Sequence, residues 1–421
     1  MNRGLNPVGT QKLGKKRENS TRLFHQHGDD KGTRIAVLRI LRFPGFYDII
    51  RSVADTAGRF GRLFLGEQVA IWTVPGLIDP HVHLREPGHT HKEDFTSGTK
   101  SALAGGITMV LDMPNTIPPT TTRETLIDKR RLAEEKILCD VGLFIGATND
   151  NPLVGLETAR MAVGLKVYAS ETFGSLRVDD LATLVRIFRS WTGPGPITVH
   201  AEGPMLPAAV ALARAYGQRL HIAHVSRKSE IDFIRAAKAY GANITCEVTP
   251  HHLFLTKDDL AHLGPLGIVK PPLGTKEDQE ALWAAVRDGV IDALASDHAP
   301  HTLDEKNGSN PPPGVPGLET SLPLMTTALR KRRISRDTLL QLMHFGPKKI
   351  YGLPDQQNTH VEIDLSAKWV IKADNLITKC GWTPFEGMEV YGVVKKVVLR
   401  DKTVYEDGKI PVNPGFGKLI P

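Results

Sequence analysis

Residues 79–88 read DPHVHLREPG, two histidines one residue apart with an arginine two positions on, directly after the apolar run VPGLI. In a strand, residues i and i+2 point to the same face, so His81 and His83 can grip one ion together. Imidazole is a common zinc ligand. The same letters also fit two ordinary surface histidines. The choice turns on whether other parts of the chain bring donors to the same place.

Working outward, the apolar segment that carries this motif is the first of eight. GLIDPHVHL is followed by ITMVLDMP, DVGLFIGA, AVGLKVYA, PITVHAE, RLHIAHVS, NITCEVTPHH and VIDALASDHAP. Helix-like stretches lie between most of them, at 91–106, 122–136, 205–217 and 228–241. Strands alternating with helical patterns imply parallel βαβ units. Eight such units are the count of an α/β fold of the (β/α)8 TIM-barrel type, and near-continuous apolar runs suit parallel strands buried on both faces. From about residue 360 the chain alternates in β fashion with turns such as EDGK, which predicts a small flanking β-subdomain. The domain reading is therefore a barrel over 66–355 and a β-subdomain segment over 356–421, joined by part of 60–75. Residues 1–65 are unpatterned and basic and are read as a largely disordered extension.

The charge is local. Residues 1–70 hold 13 Lys/Arg and 6 Asp/Glu, which is the whole net charge of +7. A basic flank beside a balanced body argues against a nucleic-acid-binding catalytic face. No apolar stretch reaches the roughly 20 residues needed to span a bilayer, so no membrane role is expected. Cys139, Cys246 and Cys380 are odd in number and lie outside any CxxC, which fits a reducing, cytoplasmic setting rather than a disulfide framework.

A barrel places its chemistry at the C-terminal ends of its strands. His81 and His83, Lys166, His200, His224 and Asp297 stand at or near those ends in five of the eight segments. His221 precedes His224 by an odd spacing, so the two face opposite ways; His224, nearer the strand end, is the candidate donor. Asp297 closes the eighth strand, beside the first in a closed barrel. It is read either as completing the His81/His83 site and serving as a base towards water, or as a helix N-cap. Lys166 is the awkward member, since an ammonium cannot ligate a cation. It is either a salt-bridged barrel lysine or an amine that has captured carbon dioxide as a carbamate.

Taken together, PGLIDPHVHLREPG, MVLDMPNT, GLKVY, VHAE, HIAHVS, ASDHAPHTLDEK, PPPGVPGLET and GWTPFEG resemble the dihydroorotases of the amidohydrolase superfamily. The likeness is nearest to the dihydroorotase domain of the animal multifunctional pyrimidine-synthesis protein, and it covers about residues 74–415. It implies a zinc-dependent hydrolase acting on a cyclic amide, forming dihydroorotate reversibly from N-carbamoyl-L-aspartate. Two zinc ions are implied, one held by His81, His83 and Asp297, the other by His200 and His224, bridged by a carboxylated Lys166. Asp297 would move the proton. Arg85, Asn115 and His301 would grip the substrate carboxylate, Lys270 and the backbone around Pro313 and Gly314 would meet the ring, and Thr172 and Phe173 would form a lid. Ala223 stands where the animal domain has a cysteine for a third metal, so Glu247 becomes a ligand only if a third ion binds. Lys270 replaces an Asn or Arg of the family. The resemblance also implies a homo-oligomer, a dimer, and association with other pyrimidine-synthesis enzymes. Other cyclic amidohydrolases, of the dihydropyrimidinase or allantoinase type, and a non-catalytic scaffold are the competing readings.

Overall fold

The computed structural model describes residues 71–171, 176–178 and 180–421, all within one compact unit spanning Arg62–Pro421. The basic 1–65 extension and the lid residues Thr172 and Phe173 lie outside the described residues, as do positions 60–70 of the expected flank strand.

After β1 (Ile71–Pro75) come the barrel strands: β2 (Leu77–Val82), β3 (Ile107–Asp112), β4 (Asp140–Leu143) with β5 (Ile145–Gly146), β6 (Leu165–Tyr168), β7 (Ile197–His200), β8 (Leu220–Ile222), β9 (Ile244–Val248) and β10 (Ala293–Leu294). All pair in parallel, β2 to β4 in one run and β5 to β10 in another. The third apolar segment hands over between the runs. Phe144 N–H donates to Asp112 O at 3.0 Å and Ile145 N–H to Gly164 O at 3.2 Å. On the far side, Val82 bridges His298 in parallel and His83 N–H donates to His298 O at 2.8 Å. These contacts close the ring of eight. The eighth strand is much shorter than its apolar run, with only Ala293 and Leu294 paired to β9, and the backbone enters the left-handed region at Asp297, φ 46°.

The four anticipated helices are present as α1 (Phe95–Ala104), α2 (Arg123–Lys136), α4 (Met205–Tyr216) and α5 (Lys228–Ala239), with α3 (Leu181–Ser190), α6 (Lys276–Arg287) and α7 (Leu318–Arg330) added. Local chemistry fixes their ends. Asp94 and Thr122 cap α1 and α2, each accepting a backbone N–H three residues on. Gly217, φ 65°, stops α4. On α3, Thr183, Leu184, Ile187 and Phe188 recur at helical spacing and are the residues it buries.

The flank is a four-stranded antiparallel sheet in the order β1, β11 (His360–Val370), β12 (Glu389–Leu399), β13 (Lys402–Glu406). Residues 71–75 thus supply its edge strand. The last strand, β14 (Leu419–Ile420), leaves the flank and pairs in parallel with β4 of the barrel. Glu319 of α7 stitches flank to barrel: its carboxylate accepts from Ser101 of α1 at 2.8 Å and from the N–H groups of Ile377 and Thr378 at 2.8–2.9 Å. Among the described residues no helix is long and apolar enough to cross a membrane.

Candidate active site

The C-terminal rim of the barrel gathers the donors. The ligating atoms of His81, His83 and Asp297 all lie within 4.8 Å of one another. His83 Nε2 is 3.2 Å and His81 Nε2 3.5 Å from Asp297 Oδ1, and Lys166 Nζ is 3.4 Å from His81 Nε2. His200 Nδ1 and His224 Nε2 face each other at 3.0 Å, and the rings of His81 and His224 sit 5.3 Å apart. One small cavity is lined by His81, His83, His200, His224 and Asp297 together with Arg85, Asn115, Lys270, Pro313 and Gly314. Lys166 sits at the second position of β6, fully buried beneath this rim.

The fold strains its backbone here. Arg85, His224 and Asp297 have φ of 65°, 34° and 46°, a left-handed conformation that costs a non-glycine residue about 1–2 kcal/mol. Each of these turns comes as the chain leaves a strand.

Electrostatics suit cation binding. Burial lowers His83 to about 4 and also lowers His200 and His224, so their lone pairs are available at neutral pH. Burial alone would raise the Asp297 carboxyl, but His81 and His83 outweigh it and hold it well below the usual carboxylate range. Burial brings the Lys166 ammonium down to about 8. The histidines are oriented from behind, as metal-ligating imidazoles are. His81 Nδ1 donates to Glu247 Oε1 at 2.5 Å and His83 Nδ1 to Asn115 Oδ1 at 2.6 Å. His224 Nδ1 is buried without a hydrogen-bond partner. A histidine-rich donor set with one ionised carboxylate and an orphaned imidazole nitrogen fits a divalent metal ion such as zinc.

Some expectations are refined by position. Glu247 is occupied on both oxygens, by His81 and the His224 N–H on one and by His221 on the other at 3.0 Å; its position is that of an orienting partner. His221 is fully buried, with its ring nitrogens 3.0 Å from Glu247 Oε2 and 2.9 Å from Thr245 Oγ1, so it packs behind the rim while His224 lines the cavity. Arg85 donates Nε–H to Pro300 O at 3.0 Å, and its Nη2 lies 3.0 Å from His301 Nε2. His301 is thus placed behind Arg85 rather than on the cavity wall. Burial lowers it far, and Arg85, Lys92 and Lys306 add to that, so it is neutral. The Pro313 carbonyl accepts from His301 Nε2 at 3.1 Å, and Gly314 N–H is committed to Ile268 O at 3.0 Å. Lys270 Nζ reaches Glu171 at 3.7 Å. Asp297 caps no helix; Thr302 caps the short helix that follows.

The model for the amidohydrolase family matches residues 72–404. The chain belongs to the amidohydrolase family. This amidohydrolase is 47% identical to the multifunctional protein CAD of Squalus acanthias over 89% of its own length, and it spans 17% of that much longer protein. It is 35% identical to the dihydroorotase of Halobacterium salinarum, with 83% of this chain and 89% of that one covered. Among solved structures it is similar to the L-hydantoinase (dihydropyrimidinase) of Arthrobacter aurescens, with a TM-score of 0.77 at 28% identity, covering 83% of this chain and 88% of that one.

The sequence reading missed two residues of this amidohydrolase's site. Tyr168 lines the cavity and its hydroxyl is buried without a partner; it lies two positions from Lys166 on one strand face, so the alternation that paired His81 with His83 could have found it. Asp79, pushed up to about 7 by burial, accepts from the His81 and Ser296 N–H groups. Only the closed barrel brings Ser296 to it.

Proposed function

We propose that this chain is a dihydroorotase, interconverting N-carbamoyl-L-aspartate and dihydroorotate with water. The observation that carries the reading is the shared cavity: five candidate donors line it, with Lys166 buried beneath them, beside a buried guanidinium and the amide of Asn115. Identity to a full-length archaeal dihydroorotase supports it.

In this reading His81, His83 and Asp297 would hold one zinc ion, His200 and His224 would hold a second, and Lys166, as a carbamate, would offer them oxygen donors. A lysine brought down to about 8 carries a larger fraction of neutral amine near pH 7 than an ordinary lysine, and it is the neutral amine that takes up carbon dioxide. Bound there, the ions would polarise the reacting carbonyl and make water nucleophilic near neutral pH. Asp297, ionised and 3.2–3.5 Å from both histidines, takes the proton from water and returns it to the leaving amide nitrogen. Arg85 supplies a guanidinium fork for the substrate carboxylate. Asn115, whose carbonyl already fixes His83, offers its NH2 group to the same carboxylate. Lys270 contributes positive charge at the mouth, and Thr172 and Phe173 are proposed as the lid that excludes water. A place in pyrimidine synthesis, a cytoplasmic setting, a dimer and association with other enzymes of that synthesis belong to the same proposal.

The similarity to a hydantoinase favours a second reading, a cyclic amidohydrolase acting on an uncharged ring. Arg85 supports the dihydroorotase reading, because a carboxylate-binding fork serves no purpose for dihydrouracil or hydantoin. Steady-state assays with dihydroorotate, dihydrouracil, hydantoin and allantoin test this, alongside the zinc-to-protein ratio and the native mass of the lysine adduct. Turnover confined to the uncharged rings would reject the dihydroorotase reading.

A further inference from the structure

The cavity wall at Pro313 and Gly314 belongs to the stretch NPPPGVPG, residues 310–317. Proline has no N–H, so this run carries carbonyls but few donors with which to hold itself. The structure supplies the donors from elsewhere. Lys306 is fully buried, and its ammonium donates to Ile268 O at 3.1 Å, Pro312 O at 3.0 Å and Gly314 O at 3.1 Å. An ammonium has three donors and no acceptor, so the set is complete. The intervening Pro313 carbonyl is taken by His301. Gly314, φ 137°, has no room for a side chain: a Cβ would lie 2.5 Å from Ala299 O.

Trp382, from the GWTPFEG segment between β11 and β12, covers this arrangement. Its ring centroid is 5.5 Å from Lys306 Nζ, within cation–π range, and its Nε1–H donates to the His301 carbonyl at 2.7 Å. No residue of the segment lines the cavity, yet Trp382 packs on both groups that hold the wall.

We propose that Lys306 and Trp382 form a clamp that fixes the Pro312–Gly314 wall and the neighbouring Ile268–Lys270 segment, making Lys306 a positioning residue for substrate binding. By tying carbonyls from both segments to one ammonium, the clamp sets the distance across the cavity between the Lys270 side and the Gly314 side. The chemistry of the rim donors does not pass through it. The activity arm of the test rests on the dihydroorotase reading.

The test uses the full chain, zinc-loaded, as the unmodified protein, Lys306→Met and Trp382→Phe. KM and kcat for dihydroorotate are measured with zinc content and with amide hydrogen exchange at Gly314 and Val315. Lys306→Met is expected to raise KM about tenfold or more while kcat stays within about threefold, with zinc content unchanged and faster exchange at both amides. Trp382→Phe, which keeps the ring and loses the donor, is expected to move KM and exchange the same way by a smaller factor. An unchanged KM in a folded Lys306→Met protein would overturn the proposal, as would a KM that rises only in proportion to lost zinc. Should Lys306→Met fail to fold, Trp382→Phe decides, and unchanged KM and exchange in that variant also overturn it. If the unmodified chain does not turn over dihydroorotate, the dihydroorotase reading falls by itself, and the exchange comparison still decides the clamp.

Discussion

Asp297 holds three demands in one residue: it faces both histidines of the HxH pair, it sits in left-handed backbone, and it stays ionised although buried. Replacing it with Asn keeps the shape but removes the proton acceptor, so kcat is expected to fall by about 10²–10⁴-fold, with the far-ultraviolet circular dichroism unchanged. Arg85 is legible in the sequence as a cation near the rim. Its planar fork matters only because burial points it into a cavity shared with Asn115. Lysine there keeps the charge and loses the fork, so Arg85→Lys is expected to raise KM for dihydroorotate about tenfold while kcat for dihydrouracil, if any, is untouched. Equal effects on both substrates would argue against carboxylate recognition by Arg85.

At the scale of single elements, the strand β9 and its short continuation show how a buried histidine couples shape to pH. Thr249 caps the helix Pro250–Phe254 and its hydroxyl lies 2.7 Å from His252 Nδ1, while His252 Nε2 donates to Pro271 O at 3.0 Å. Burial lowers His252 from 6.5 to about 4. The folded chain therefore binds this proton less readily than the unfolded chain, and stability is present above pH 6.5 and lost as pH falls towards 4. The contribution is on the order of 3 kcal/mol. Chemical denaturation at pH 7 and pH 4.5 is expected to show a smaller loss in His252→Gln than in the unmodified chain. The helices were legible because capping residues and apolar spacing are local. The extent of the eighth strand was not: its apolar run is real, but only Ala293 and Leu294 pair with β9, and which residues of a run pair depends on the neighbouring strand.

For the whole molecule, the joint between flank and barrel is polar and specific. Arg400, just after β12, grips Asp140 at the start of β4 with Nη1 at 2.6 and 2.9 Å and donates Nη2–H to Phe416 O at 2.9 Å. Removing Arg400 leaves the buried Asp140 carboxylate with the Lys418 N–H as its remaining partner, at a cost of about 1–3 kcal/mol. Arg400→Ala is expected to lower the melting temperature by several degrees and to leave kcat and KM unchanged, because this joint lies away from the cavity residues. A change in KM without a change in stability would contradict that division.

The sequence by itself determined the eight-unit rhythm, the barrel that follows from it, and the candidate donors His81, His83, Lys166, His200, His224 and Asp297, since period and strand-end position are properties of short segments. Tertiary structure alone decided what those residues meet. That Glu247 orients His81, that His301 stands behind Arg85 and that Lys306 ties three carbonyls together all depend on contacts between separate segments of the chain. The contacts of His81 and Arg85 with the late segments exist only once the ring closes through Val82 and His298, because closure is what brings the first and eighth segments to hydrogen-bonding distance.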